Sequence, residues 1–239
     1  MEEKIIREHL EKNAVAADPT LARKLAVYLD MLQDWNSRID LTAVTDEDEM
    51  LDRHFLDSLC PLKTGLIPEE GNLIDVGTGA GFPGLVLALA RPGLQVTLLD
   101  AQRKRLDFLE AVCDAVKAGN VTTIHLRAED GARRPELREK FDIAAARAVA
   151  PANILCEYLL PYVRVGGYAL CWKGPGLRDE LESGRRASFL LGGQTQDPVP
   201  YAIEGRNWEH RLLPVRKERS TPKAYPRKAG TPKQKPLGL

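Results

Sequence analysis

Residues Leu73–Gly84 read LIDVGTGAGFPG. The apolar run Asn72–Val76 carries one carboxylate, Asp75, and meets Gly77-Thr78-Gly79-Ala80-Gly81, then Phe82-Pro83-Gly84. A short β-branched and apolar run bounded by glycines predicts a strand. The glycines let the chain turn sharply and bring backbone close to a ligand. Pro83 suits the first turn of a following helix, where its missing N–H would have no partner anyway. In open α/β sheets, a turn of this kind lies at the carboxyl ends of the strands, where ligands bind.

Working outward from this loop, short apolar runs alternate with helix-length segments. Strands are predicted at Asn72–Val76, Gln95–Leu99, Val121–His125, Phe141–Ala145 and Gly167–Trp172. Helices are predicted at Pro83–Ala90, Arg103–Lys117 and Asn153–Val163. Such alternation implies a mainly parallel sheet covered on both faces. The stretch 174–193 reads as a helix that becomes glycine-rich, and Val199–Ile203 with His210–Val215 as a closing antiparallel pair. The fold class expected is a Rossmann-like α/β domain with a mainly parallel seven-stranded sheet, over residues 67–216.

Before the loop, residues 1–66 read as a helical cap. Leu21, Leu25, Tyr28, Leu29, Leu32 and Trp35 recur every three to four residues and give one apolar helix face, starting near Asp18–Pro19. Trp35 reads as core rather than as a stacking platform. A second helix is expected over Glu47–Leu59, with Asp46–Glu49 at its positive end. No apolar run reaches the roughly 18 residues of a membrane span. The charged start MEEKIIREHLEKN lacks the apolar segment of a secretory signal. Cys60, Cys113, Cys156 and Cys171 are scattered without a CxxC pair, so reduced, buried thiols are expected rather than disulfides or a metal centre. A cytoplasmic monomer without metal is the resulting expectation.

Lys and Arg balance Asp and Glu at 34 each, but unevenly along the chain. From Arg206 to Leu239 there are 10 basic and 2 acidic residues; the first 205 residues hold 24 and 32. An acidic body thus carries a basic tail. Residues 217–239 are expected to be irregular until they meet a partner. Arg219, Lys223, Arg227 and Lys228 of the tail, with Arg103, Lys104 and Arg105 at a helix start, are the candidate contacts to RNA phosphates. A solvated tail and a solvated helix start are the plainer alternatives.

The loop separates its possible ligands. The dinucleotide fingerprint G-x-G-x-x-G requires a third glycine for close helix packing, and that position is Phe82. No phosphate-binding G-x-x-x-x-G-K-[ST] loop is present. Asp75 with G-x-G-x-G fits S-adenosylmethionine, which has no pyrophosphate. Gly77, Gly79 and Gly81 form the cradle, and Asp100, ending the second strand, is placed to accept from the ribose hydroxyls. Arg127-Ala128-Glu129-Asp130 follows the third strand, where an acid can face the adenine amino group. Arg147, just past the fourth strand, falls at the mouth of the site.

The acceptor is constrained by what is missing. Carbon-5 of a pyrimidine requires a nucleophilic cysteine, commonly after proline; this chain has Cys60-Pro61 but no Pro-Cys. The Asn/Asp-Pro-Pro-aromatic loop that handles exocyclic amines is replaced by Ala145-Ala146-Arg147-Ala148. An aromatic ring nitrogen such as guanine N7 carries a lone pair and no proton, so it needs orientation and charge balance rather than a base.

MLQDWNSRIDLT (Met31–Thr42), RHFLDS (Arg53–Ser58), LIDVGTGAGFPG and TLLDAQRKRLDFL together resemble the RsmG, or GidB, family. The resemblance covers most of the chain and is weakest over 174–205; the tail TPKAYPRKAGTPKQKPL resembles an extension found in many Gram-positive members. It implies methylation of guanine N7 in 16S ribosomal RNA, with the RNA or the small ribosomal subunit as partner. It also implies that Gly77, Phe82, Ala128, Glu129 and Arg147 contact the cofactor. His54, Asp57 and Ser58 then fall near the reaction mouth with Arg147, and Lys173 and Gly174 match a Lys-Gly pair after the fifth strand, with Lys173 a further candidate contact to RNA. Asp40 departs from the family's Asn and is not counted as a site residue. A methyltransferase of small molecules or proteins, and a non-catalytic RNA-binding assembly factor, are the rival readings.

Overall fold

The computed structural model describes residues 1–15 and 20–239. Its strands are β1 (Glu70–Val76), β2 (Gly93–Asp100), β3 (Val121–His125), β4 (Phe141–Arg147), β5 (Val163–Lys173), β6 (Gly193–Thr195), β7 (Val199–Tyr201) and β8 (His210–Lys217). The sheet runs β3-β2-β1-β4-β5-β8-β6, with β7 also on β8. The first five strands are parallel, and β8 is antiparallel to β5. The chain leaves β1 toward β2 and β3 and returns to β4 on its other side. This reversal opens a crevice at the carboxyl ends of β1 and β4.

The sheet has eight strands rather than the expected seven. β6 and β7 share one edge of β8, pairing with its end and its start. Pro214 sits at the break between them. Its carbonyl accepts from the Gln196 amide at 2.9 Å. A strand residue presents N–H and C=O to the same side, and proline has no N–H to give, so the ladder is interrupted there.

The helices are α1 (Glu3–Lys12), α2 (Leu21–Asn36), α3 (Glu47–Met50), α4 (Asp57–Leu59), α5 (Gly84–Ala90), α6 (Arg103–Val116), α7 (Ala128–Gly131), α8 (Ala152–Leu159), α9 (Leu177–Leu190) and α10 (Thr231–Gln234). Two apolar layers flank the sheet. One joins Leu25, Leu29, Leu85, Leu109 and Leu73; the other joins Leu155, Leu159, Ala187 and Ile74. Neighbouring β1 residues Leu73 and Ile74 thus feed opposite layers, as the two-residue strand period requires. The cap helix α2 buries Leu21, Leu25, Tyr28, Leu29 and Leu32. The expected start at Asp18–Pro19 lies outside the described residues. Trp35 packs 5.6 Å from Phe108, as a core residue does.

Three expectations change in detail. The Glu47–Leu59 helix begins as predicted, with Asp46 capping the Glu49 amide at 2.8 Å, but Leu51–Leu56 widens into a π-helix before α4. The helix predicted over Asn153–Val163 stops at Leu159, because Val163 already pairs with Phe141 in the sheet. The tail is irregular in backbone but is not loose. Lys217 is fully buried, bonded to the Leu160 carbonyl, Thr221 and Glu139. Arg227 forms a bidentate pair with buried Glu157 at 2.6–3.1 Å.

Candidate active site

The loop after β1 is folded by its own aspartate. Asp75 Oδ2 accepts from Thr78 Oγ1 at 2.7 Å and from the Gly84 amide at 2.9 Å. Burial pushes the Asp75 carboxyl up to about 6 against these bonds. The amides of Gly77 and Thr78 both donate to Leu99 O of β2, tying the loop to the next strand. The loop glycines have positive φ, and their neighbourhoods differ. At Gly79 (φ +59°) a side chain would meet nothing within 4 Å and would project into open space. At Gly81 (φ +96°) it would collide with Tyr28 and Leu109. Gly79 therefore borders a cavity, whereas Gly81 is a packing glycine; Tyr28 reaches past it to donate to the Ala80 carbonyl.

The cavity beside Gly79 measures about 530 Å³ and is lined by Gly77, Gly79, Phe82, Asp100, Ala128, Glu129 and Arg147, among others. This is the size range of small-molecule sites. Of the predicted cofactor contacts, only Gly81 is missing from its wall. Asp100 is buried, and its two oxygens receive the Gln102 and Gly79 amides at 2.8 and 3.0 Å. Each oxygen keeps a free lone pair, so the carboxylate clamps two loops and still has acceptor capacity.

A second cavity of about 390 Å³ adjoins the first, and the two share His54, Arg147 and Ala148. Arg147 is the last residue of β4 rather than a residue beyond it. Its Nη1 donates to the Arg53 carbonyl at 2.6 Å and to Asp57 Oδ2 at 2.8 Å, and its Nη2 lies 3.2 Å from His54 Nδ1. Its guanidinium also lies 5.0 Å from the centre of the Phe82 ring. Phe82 in turn stacks on His54 at 4.8 Å and on Tyr28 at 5.5 Å. The π-helical turn that carries Arg53 and His54 supplies both the carbonyl and the ring. Such bulges are frequent at functional sites.

His54 Nε2 lies 2.7 Å from Thr42 Oγ1, while Nδ1 faces the arginine donor. An arginine only donates, so Nδ1 accepts and Nε2 carries the proton. Burial and the Arg147 charge hold the imidazole down to about 4. Neither nitrogen has a lone pair left for a substrate. Asp57 is enclosed: Tyr201 and His210 reach Oδ1 at 2.7 Å each, and Trp172 donates to its backbone carbonyl at 2.9 Å. Burial pushes the Asp57 carboxyl up, but the His210, Arg147 and Tyr201 contacts outweigh it and hold the group below the usual carboxylate range.

Other predicted residues sit elsewhere. Ser58 lines neither cavity; it is fully buried and donates to the His54 carbonyl at 2.5 Å, an i−4 bond inside its own helix. Arg103 is paired with Asp107 and Glu110 on α6, and Arg105 faces Asp100 at 3.6 Å. Lys104 is exposed. Lys173 and Gly174 line the second cavity, and Lys173 is paired with Glu180 at 2.5 Å. Arg219 packs on Phe189, beyond the end of β8 opposite the cavities. Arg227 is spent on Glu157, while Lys223 and Lys228 remain exposed. Of these basic residues, Lys104, Lys223 and Lys228 are exposed, and no acidic partner is seen for them among the described residues.

Residues that sequence reasoning missed include Tyr201 and His210, which close on Asp57 from 144 and 153 positions away. No local pattern marks them. Thr42 is different. Asn36 Oδ1 receives the Leu41 and Thr42 amides at 2.9 Å and folds that loop toward His54, and both residues belong to the quoted Met31–Thr42 stretch. Among the described residues, no group of three or more His, Cys, Asp or Glu is arranged to hold a metal, and no helix is long and apolar enough to cross a membrane.

Comparison with known proteins gives this arrangement a family. The profile of GidB, described as rRNA small subunit methyltransferase G, matches residues 21–207. The chain is 42% identical to the ribosomal RNA small subunit methyltransferase G of Alkaliphilus oremlandii (strain OhILAs), covering 98% of both chains. It is 46% identical to that of Clostridium perfringens (strain SM101 / Type A), covering 90% of both. Among solved structures, a mutant 16S rRNA (adenine(1408)-N(1))-methyltransferase from Catenulisporales acidiphilia with cosubstrate SAM superposes with a TM-score of 0.53 at 16% identity. The match covers 64% of this chain and 87% of that one. Fibrillarin from Aeropyrum pernix with S-adenosyl-L-methionine gives 0.52 at 16% identity, over 68% and 74% of the two chains. These structural likenesses concern the fold. Sequence identity over nearly the whole chain decides the family: the chain belongs to the rRNA small subunit methyltransferase G family.

Proposed function

We propose that this chain transfers a methyl group from S-adenosylmethionine to N7 of a guanine in 16S ribosomal RNA. The observation that carries this reading is the pair of adjoining cavities with Arg147 and His54, whose two ring nitrogens are both occupied, in their partition. The residues of the larger cavity suit the cofactor. Gly79 on its wall leaves open space where a side chain would stand, and Asp100 keeps lone pairs that fit ribose hydroxyls. Ala128 and Glu129 wall the adenine end, and Gly77, Phe82 and Arg147 the other. When bound, the cofactor supplies an electrophilic methyl group on a sulfonium.

The second cavity suits the target base. A base buried in RNA structure must leave its stack to reach such a site. Trp172 and Tyr201 give the cavity aromatic walls, and the Lys173–Glu180 pair a polar one. N7 attack takes no proton from the acceptor, so a neutral His54 with both nitrogens occupied is no handicap. Its part is to hold Arg147 and to stack on Phe82. The methylated guanine gains a positive charge. Asp57, held ionised against Arg147, keeps the partition from adding a second uncompensated one. We place this activity in the cytoplasm, on the small subunit or its RNA, with a monomer as the working unit.

A base-resolved map of 16S rRNA from a strain lacking the gene tests the reading. One N7-methylguanosine should vanish, return with the wild-type chain and stay absent with Arg147→Met. Persistence of every N7-methylguanosine in the deletion strain would overturn the substrate. Failure of the purified chain to bind S-adenosylmethionine in calorimetry would overturn the cofactor.

A further inference from the structure

The tail leaves β8 at the end of the sheet opposite the cavities and climbs back to them. Each step of the climb is bonded. Arg138 donates to the carbonyls of Thr221 and Tyr225 at 2.8 and 2.9 Å, and Arg133 to that of Pro226 at 2.7 Å. Arg227 then locks onto Glu157 of α8. At the top, the Gly230 amide donates to Glu129 Oε1 at 2.8 Å, and Gly230 and Lys233 form part of the larger cavity's wall. Past α10, Asn153 donates to the Leu237 carbonyl at 2.9 Å, and Gly238 packs against the Ser183 carbonyl so closely that a side chain would not fit.

We infer that the segment Gly230–Lys233 is a wall of the cofactor cavity, and that its Gly230 amide positions Glu129 for the adenine amino group. The inference rests on the cofactor reading proposed above. Glu129 is 5% exposed and lies on the cavity wall, so its orientation needs a fixed partner. The amide occupies one carboxylate oxygen and leaves the other for a donor. Adenine's exocyclic amine is such a donor, and hypoxanthine, with a carbonyl at that position, is not. The strap is therefore a positioning element for the adenine end. This is a different use of the tail from the RNA contact its charge suggests.

The test compares the full chain with a chain lacking residues 229–239, which keeps the Lys217 and Arg227 anchors. Calorimetry uses S-adenosylhomocysteine and S-inosylhomocysteine. The full chain should prefer the adenosyl compound. The shortened chain should bind it about tenfold more weakly, the scale of one charge-assisted hydrogen bond, and bind both compounds alike. Glu129→Gln keeps an oxygen for Gly230 but presents an amide donor to the adenine, so it should also lose the preference. A shortened, folded chain with unchanged affinity for S-adenosylhomocysteine, and only a shallower salt dependence of RNA binding, would overturn the inference. If the shortened chain does not fold, hydrogen exchange on the full chain decides. Amides of 229–235 should exchange about tenfold more slowly with S-adenosylhomocysteine bound, and unchanged rates would overturn the proposal. Absence of binding by the full chain would instead sink the cofactor reading itself.

Discussion

The loop Leu73–Gly84 and the segment Lys217–Leu239 border the same cavity, and their partners are found at very different distances along the chain. Asp75 bonds to residues 3 and 9 positions away, and Asp100 reaches Gly79 across 21. Arg227 and Gly230 bond to residues 70 and 101 positions away. Bonds that close locally leave a motif, because residue types and spacing are both constrained. Bonds that close over such distances leave only composition. Composition alone does not sort such residues: a run of Lys and Arg reads as solvated or RNA-bound, yet within it Lys217 is enclosed and Arg227 neutralises a buried glutamate while Lys223 and Lys228 stay exposed. Charge in a tail is therefore weak evidence about where the tail goes.

The most severe way to probe the loop is Gly81→Val. The branched side chain would strike Tyr28 and Leu109 at a φ that β-branched residues avoid. Overpacking and backbone strain together cost on the order of 4 kcal/mol. The urea midpoint should fall far below that of the wild type. A midpoint close to wild type would mean that the loop is softer than its motif implies.

The matching probe of the tail is Arg227→Met. It leaves Glu157 charged and buried with no cation, keeping only the residue-227 amide as a partner, which costs about 3 kcal/mol. The double variant Glu157→Leu with Arg227→Leu should recover most of that loss, since no buried charge remains. Equilibrium unfolding of the three chains checks both statements. A loss under about 1 kcal/mol for the single variant would break the comparison, because the tail would then be an appendage rather than part of the domain.

The sequence carried the strand alternation, the cradle glycines and Asp100, because each depends on residue period or on neighbours within one strand–helix unit. It carried His54 and Asp57 only through a resemblance, since their geometry depends on β4, β7 and β8. Ser58 shows the limit of that transfer. It lies in the same short motif as His54, but its hydroxyl turns back to the carbonyl four residues before it, as helical serines do. The eighth strand was hidden for another reason: a three-residue strand has too little period to read, and its separation from β7 depends on Pro214 in a different strand.

Gly79→Ala sharpens the contrast within the loop itself. The methyl group has room, so only the left-handed backbone cost of about 1–2 kcal/mol applies. Stability should barely suffer beside Gly81→Val, but binding of S-adenosylmethionine should weaken by about tenfold or more as the methyl occupies the cavity. Calorimetry and unfolding on the same preparation separate the two effects. Unchanged affinity would remove Gly79 from the cofactor cradle.

The smallest expected effect concerns the imidazole that stacks on the loop. Burial and Arg147 lower the His54 pKa from 6.5 to about 4. Between these values the unfolded chain binds the proton more readily than the folded one, so stability rises with pH across this window. It is fully present above 6.5 and is lost as pH falls toward 4. Between pH 6.5 and 5.5 this one group should remove about 1 kcal/mol. Asp57, also facing Arg147, is held below its usual range and should begin to weaken the fold only at lower pH. His54→Asn carries no titrating group and should lose that share of the slope, while Arg227→Met, acting at the tail, should retain it. Urea midpoints at pH 7.0, 6.0 and 5.0, chosen on the order of one unit apart, measure the difference. An identical slope in wild type and His54→Asn would mean that His54 is protonated as readily in the fold as in the open chain. The arrangement in which Arg147 donates to an uncharged ring would then be wrong.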